Sequence, residues 1–151
     1  ATICESSPRT NDMPQTHNTP QEAEDEFYDA LEEGDLERLL SVWAGSDDIC
    51  CLLPMYPMVW GRKGIEDVFS HLFSHGQGVE LSVAHLSWIQ TDDIAIHQVE
   101  ETIQKVPAGR QPPPPFYGTN IYRKDGDGWR LIVHQNAPSP QPPPPELEVP
   151  E

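Results

Sequence analysis

The chain has 151 residues, with 25 Asp plus Glu against 9 Lys plus Arg and a formal net charge of −16. That balance excludes a basic stripe for nucleic acid and disfavours an anionic membrane surface, and no apolar run reaches the roughly 20 residues of a membrane span. The length suits one domain with a real core, and three cysteines are too few for a disulfide scaffold and match no zinc spacing.

Residues 1–18 are polar and aperiodic and are expected to form a flexible tail. The folded domain is expected over 19–138. It opens on "TPQE", where Thr19 suits a helix cap, Pro20 the first helical position and Glu22 the capping box. Ala23, Phe27, Ala30 and Leu31 recur at helical spacing, and Gly34 ends that helix. Asp35 caps a second helix with Leu36, Leu39, Leu40 and Trp43 on one face. The carboxylates from Glu22 to Glu37 read as a solvated face, since their spacing fits no calcium loop.

"ICCLLP" reads as a short buried strand, and "GRKGIEDVFSHLFSHG" as a third helix stopped by Gly76. Strands follow over Val79–Gln90, Ile94–Val106, Phe116–Lys124 and Trp129–Asn136, the last two joined by a "DGDG" hairpin turn. Three N-terminal helices and an antiparallel meander make an α+β layout, with the helices packed on the sheet. The remaining 139–151 read as a proline-rich acidic tail. "QPPPP" occurs at 111–115 and again at 141–145, a polyproline II signal that fits either a stiff connection or a partner motif.

Three segments, "FYDALEEGDLERLLSVWAGSDDICCLLP", "GRKGIEDVF" and "GTNIYRKDGDGWRLIVHQNA", in this order resemble the SnoaL-like members of the nuclear transport factor 2-like superfamily. The resemblance implies a cone-shaped α+β fold whose curved sheet wraps a helix-covered pocket, with dimers formed through the sheet. Members of the superfamily include steroid isomerases, dehydratases, polyketide cyclases and the association domain of calcium/calmodulin-dependent kinase II. The isomerase tyrosine falls at Phe27, the base at Leu53 and the acid of the oxyanion site near Asn120. Leucine takes no proton and phenylalanine offers none, so steroid isomerase activity is not expected.

Of the histidines, His71 and His75 share a helix face at i, i+4 but find no third ligand, and no metal site and no cofactor are expected. His85, His97 and His134 fall on predicted strands. His97 and His134 are the candidate proton carriers. Trp60, Tyr117, Asn120 and Tyr122 are candidates for an amphipathic pocket lining. Strict alternation puts Trp129, Leu131, Val133 and Gln135 on one face of the last strand, and Arg130, Ile132, His134 and Asn136 on the other. The expected ligand is a small apolar or amphipathic molecule. The expected function is a cytoplasmic, homodimeric small-molecule-binding domain, acting as a cofactor-independent dehydratase, cyclase or isomerase. The alternative is a non-catalytic association module that binds a protein partner.

Overall fold

The computed structural model describes residues 17–126 and 128–139. The segments before His17 and after Ser139 lie outside it, and with them most of both tail readings and the second QPPPP tract.

Helix α1 spans Pro20–Glu33. Its start is held from both sides: the Glu22 amide donates to Thr19 Oγ1 at 3.1 Å, and the Asn18 amide donates to the Glu22 carboxylate at 2.9 Å. It stops at Gly34, whose φ of 68° only glycine adopts freely. Helix α2, Leu36–Val42, begins at Asp35, whose side chain accepts from the Arg38 amide at 3.1 Å. Strands β1 (Cys50–Leu52) and β2 (Val59–Trp60) follow, then helix α3 (Gly61–Leu72). Strands β3 (Leu81–Gln90), β4 (Ile94–Ile103), β5 (Phe116–Asp125) and β6 (Gly128–Pro138) complete the described elements.

The six strands form one sheet in the order β2-β1-β6-β5-β4-β3. Every pairing is antiparallel except β1 with β6, which is parallel. The expected meander is therefore extended by a mixed edge. With two residues, β2 is too short to show an alternation in sequence. The third helix also stops earlier than Gly76, at Leu72.

The core lies between the helices and the inner face of the sheet. Phe27 stands at its centre, edge-on to Trp43 and Phe69 at ring distances of 6.4 and 6.2 Å. Ile65, Leu39 and Val42 from the helices meet Leu131, Trp129 and Ala95 from the sheet, all buried. A side chain of this size contributes about 2–3 kcal/mol on burial.

Two bulges set which side chains face that core. In β6 the register slips between the Ile121–Val133 and Tyr122–Leu131 pairs, so Ile132 is an extra residue. Trp129 and Leu131 are buried before the slip, and His134 and Asn136 after it. Strict alternation had put these two pairs on opposite faces; the bulge brings them to the same one. A second slip in β3, between His85 and Ser87, does the same for His85 and Trp88.

Candidate functional site: a cavity closed by a hydrogen-bonded ring

A cavity of about 270 Å³ opens between the end of α1, the end of α3 and the strand ends. Leu31, Leu53, Leu72, Leu81, Ile103 and Phe116 supply apolar wall, and Pro113 of the first QPPPP tract adds to it. Glu101, His134 and Asn136 also line it. These three are 4, 2 and 6 % exposed. A carboxylate and an imidazole so deprived of water must be hydrogen-bonded by protein, and they are.

The bonds close into a ring. Tyr28 Oη donates to Glu101 Oε2 at 2.6 Å, and Asn136 Nδ2 donates to Glu101 Oε1 at 3.0 Å. His134 Nε2 lies 3.0 Å from Asn136 Oδ1, and His134 Nδ1 lies 2.5 Å from Asn120 Oδ1. Asn120 Nδ2 then donates back to Tyr28 Oη at 2.9 Å. Both amides direct their nitrogens at other acceptors and leave Oδ1 toward the imidazole. Both ring nitrogens of His134 therefore face amide oxygens. Phe27 backs the ring of His134 at 5.0 Å.

Gly118 makes room for this arrangement. A Cβ there would lie 3.1 Å from Glu101 Oε2, 3.1 Å from Val99 Cγ2 and 3.4 Å from Asn136 Nδ2. Burial pushes the Tyr28 hydroxyl well above its ordinary range, and the neighbouring Glu101 charge adds to this. Tyr28 thus stays protonated and donates.

Behind the ring lies a second carboxylate. Glu24, 1 % exposed on α1, accepts from His85 Nε2 at 2.5 Å, His97 Nδ1 at 3.0 Å, Tyr122 Oη at 3.1 Å and Asn120 Nδ2 at 3.2 Å. Burial opposes the Glu24 charge, but hydrogen bonds from His97, His85 and Asn120 outweigh it and hold the carboxyl below its ordinary range. Asn120 joins the two halves, since it bonds to Glu24, Tyr28 and His134.

The sequence candidates separate in space. His134 lines the cavity, whereas His97, Asn120 and Tyr122 are buried in the network behind it. Tyr117 contributes its backbone carbonyl, which accepts from Asn136 Nδ2 at 3.1 Å, while its side chain is exposed. Trp60 is 67 % exposed at the far edge of the sheet. Leu53, at the isomerase base position, is apolar cavity wall.

Sequence reasoning missed Glu24, Tyr28, His85 and Glu101. Glu24 carried a signal: with Pro20, Ala23, Phe27 and Leu31 it completes the i, i+3, i+4, i+7 face of α1, where a solvated acid does not belong. Glu101 carried one too, sharing strand parity with Ala95, His97 and Val99.

The profile of the SnoaL-like domain family matches residues 21–140. The chain belongs to the SnoaL-like domain family. No curated protein matches it in sequence. Among solved structures, this SnoaL-like domain is similar to a protein from Thiobacillus denitrificans ATCC 25259 assigned as a calcium/calmodulin-dependent protein kinase type II association domain. The two are 30 % identical over 83 % of this chain and 99 % of that one, with a TM-score of 0.76. It is also similar to a protein of the NTF2-like family from Streptomyces avermitilis assigned as a dehydratase, at 25 % identity over 79 % and 92 % of the two chains and a TM-score of 0.68. A ketosteroid isomerase-like protein from Erwinia carotovora atroseptica shares the fold, with 18 % identity over 80 % of this chain and 94 % of that one and a TM-score of 0.62.

Proposed function

We propose that this SnoaL-like domain binds a small, largely apolar molecule bearing one polar group and moves a proton on it, as a cofactor-free dehydratase, cyclase or isomerase does. The observation that carries this reading is the pairing of Glu101 and His134 on one otherwise apolar cavity. Each Glu101 oxygen accepts one hydrogen bond from protein and keeps a further lone pair for a ligand proton. Glu101 is the base in this reading. Asn136, whose Oδ1 keeps a further lone pair, orients the ligand's polar group; His134 holds the Asn136 amide and Tyr28 the carboxylate in place. His97 supports the site from behind through Glu24 and Asn120.

The relative from Streptomyces avermitilis assigned as a dehydratase supports the reaction class. The test is a thermal-shift series with one- and two-ring phenols and ketones on the wild-type chain and on Leu53→Trp, which fills the cavity. Members of the series should raise the wild-type melting temperature and leave Leu53→Trp unmoved. A flat response of the wild-type chain across the series would contradict the reading.

Homodimerisation through the outer face of the sheet has its own support. Ile89, Ile96, Ile121, Val133, Cys50 and Trp60 stand in register in one row across all six strands. All six are partly or well exposed, with Ile89 at 53 % and Trp60 at 67 %. Such an apolar band favours a self-complementary contact. The assignment of the Thiobacillus denitrificans relative as an association domain points the same way. Cys50 and Cys51 are free thiols, which suits a reducing, cytoplasmic setting. Among the described residues no helix is long and apolar enough to cross a membrane.

A further inference from the structure

We propose that Glu24, His85 and His97 form a binding site for one divalent transition-metal ion of the zinc type. This does not rest on the cavity reading.

The three residues come from α1, β3 and β4, and their donor atoms lie within 4.8 Å of one another. Two imidazoles and one carboxylate are a donor set that suits zinc, cobalt or nickel and is poor for calcium or magnesium. Metal–ligand bonds of about 2.0–2.2 Å in a tetrahedron put neighbouring donors roughly 3.3 Å apart. Glu24 Oε1 and His85 Nε2 are 2.5 Å apart, and Glu24 Oε2 and His97 Nδ1 are 3.0 Å apart. Opening each pair by less than about 1 Å seats the ion where the shared protons now lie.

The surroundings fit. Tyr122 Oη and Asn120 Nδ2 both donate to Glu24 Oε2, fixing the carboxylate as outer-shell donors do at metal sites. Trp88 stacks on the His97 ring at 3.7 Å and fixes its plane. His97 Nε2 is buried with no hydrogen-bond partner among the described residues, so the proton that Nδ1 now shares with Glu24 can move to Nε2 without breaking a bond there. That leaves Nδ1 able to present its lone pair to an ion. Access comes from a polar cleft along α1 and β3, where Gln21, Asp25 and Asp29 stand beside Glu24 and His85. The side chain of His85 is 35 % exposed to it. The Asp25 and Asp29 carboxylates raise the local cation concentration, and the cleft admits a water as fourth ligand.

The test uses the full chain, stripped with a chelator, titrated with Co2+ by visible absorption and with Zn2+ by calorimetry. One equivalent should bind with Kd about 1 µM or tighter, and Co2+ should give the intense absorption of a four-coordinate ion. His85→Ala, at a partly exposed position, should weaken binding by at least tenfold in a metal-free protein that still melts cooperatively. Tyr122→Phe, which keeps the ring in place, should weaken it roughly tenfold by loss of one outer-shell donor. Absence of one-to-one binding, or the same affinity in His85→Ala, would overturn the proposal. The cluster would then be an ion pair complete in itself, with any metal bound elsewhere.

Discussion

Two adjacent register rows on opposite faces of the sheet invert the usual order of a protein. On the inner face, one register row reads Trp88, His97, Asn120, His134 and Cys51 across five strands. One residue further along each strand, the outer row reads Ile89, Ile96, Ile121, Val133 and Cys50. Apart from Trp88, which is 45 % exposed, the inner row is buried and largely polar, and the partly exposed outer row is apolar. A structure that only minimised wet apolar surface would do the opposite. The inner polar row is tolerable because its hydrogen bonds close on themselves. Tyr28, Glu24 and Glu101 supply the matching acceptors and donors from outside the row. Polarity is buried beside the cavity, where it can act on a ligand, and apolarity is turned outward, where a second copy can cover it.

Replacing neighbouring residues by each other's type gives the widest separation between the faces. Asn120→Leu leaves His134 Nδ1, Tyr28 and Glu24 each short of a partner, and should destabilise the fold by about 3 kcal/mol, read as a fall in the urea midpoint at unchanged slope. A loss below about 1 kcal/mol would show that the ring is not a cooperative unit.

The inner carboxylate also makes stability depend on pH. Glu24 is held below its ordinary range, so its contribution is complete at neutral pH, above the unfolded-state value near 4.3. It disappears as pH falls through the lower folded-state value. The urea midpoint of the wild-type chain should therefore fall more steeply below pH ~4.3 than that of Glu24→Gln; parallel curves would contradict this.

Gly118→Ala is a subtler disturbance of the same face. Its Cβ crowds Glu101 and Val99, so a cost of about 1–2 kcal/mol is expected, with weaker ligand binding in the cavity. Calorimetry with any ligand from the thermal-shift series that binds the wild-type chain checks it, and equal affinity would show that Glu101 has room to spare.

The smallest effect on the fold belongs to the outer face. Ile121→Asn, one residue from the most disruptive change, should alter monomer stability by less than about 1 kcal/mol. It should instead shift the protein toward monomer in sedimentation at micromolar concentration. An unchanged sedimentation profile would remove the outer row from any interface.

Much of this was legible in the chain itself. The caps at Thr19 and Asp35, the stop at Gly34 and the apolar stripes of the helices follow from local chemistry that tertiary context did not override. The strands from Leu81 onward were visible in their alternation and turns. The parallel β1–β6 pairing was not, because a register between distant segments leaves no local periodicity. Nor was the inward pairing of His134 with Trp129, because a single bulge at Ile132 reverses parity without any glycine to mark it. The site was half legible. His97, Asn120, Tyr122 and His134 stood out as polar groups on strands, yet Glu24 was placed on a solvated face and Glu101 was not singled out in a chain with 25 acidic residues. Their burial showed only in their phase, Glu24 within a helical stripe and Glu101 within a strand parity.

In the proposed function, ligand binding falls to the cavity walled by Leu31, Leu53, Leu72, Leu81 and Ile103 and closed by Glu101 and His134. It is tested most directly by a methyl-resolved NMR titration of the full chain with 2-tetralone, a two-ring ketone. The methyl signals of those five wall residues should shift with saturation, while Ile89, Ile96 and Ile121 on the opposite face stay in place. Shifts confined to the three outer isoleucines, or no shift at the cavity methyls, would contradict the account.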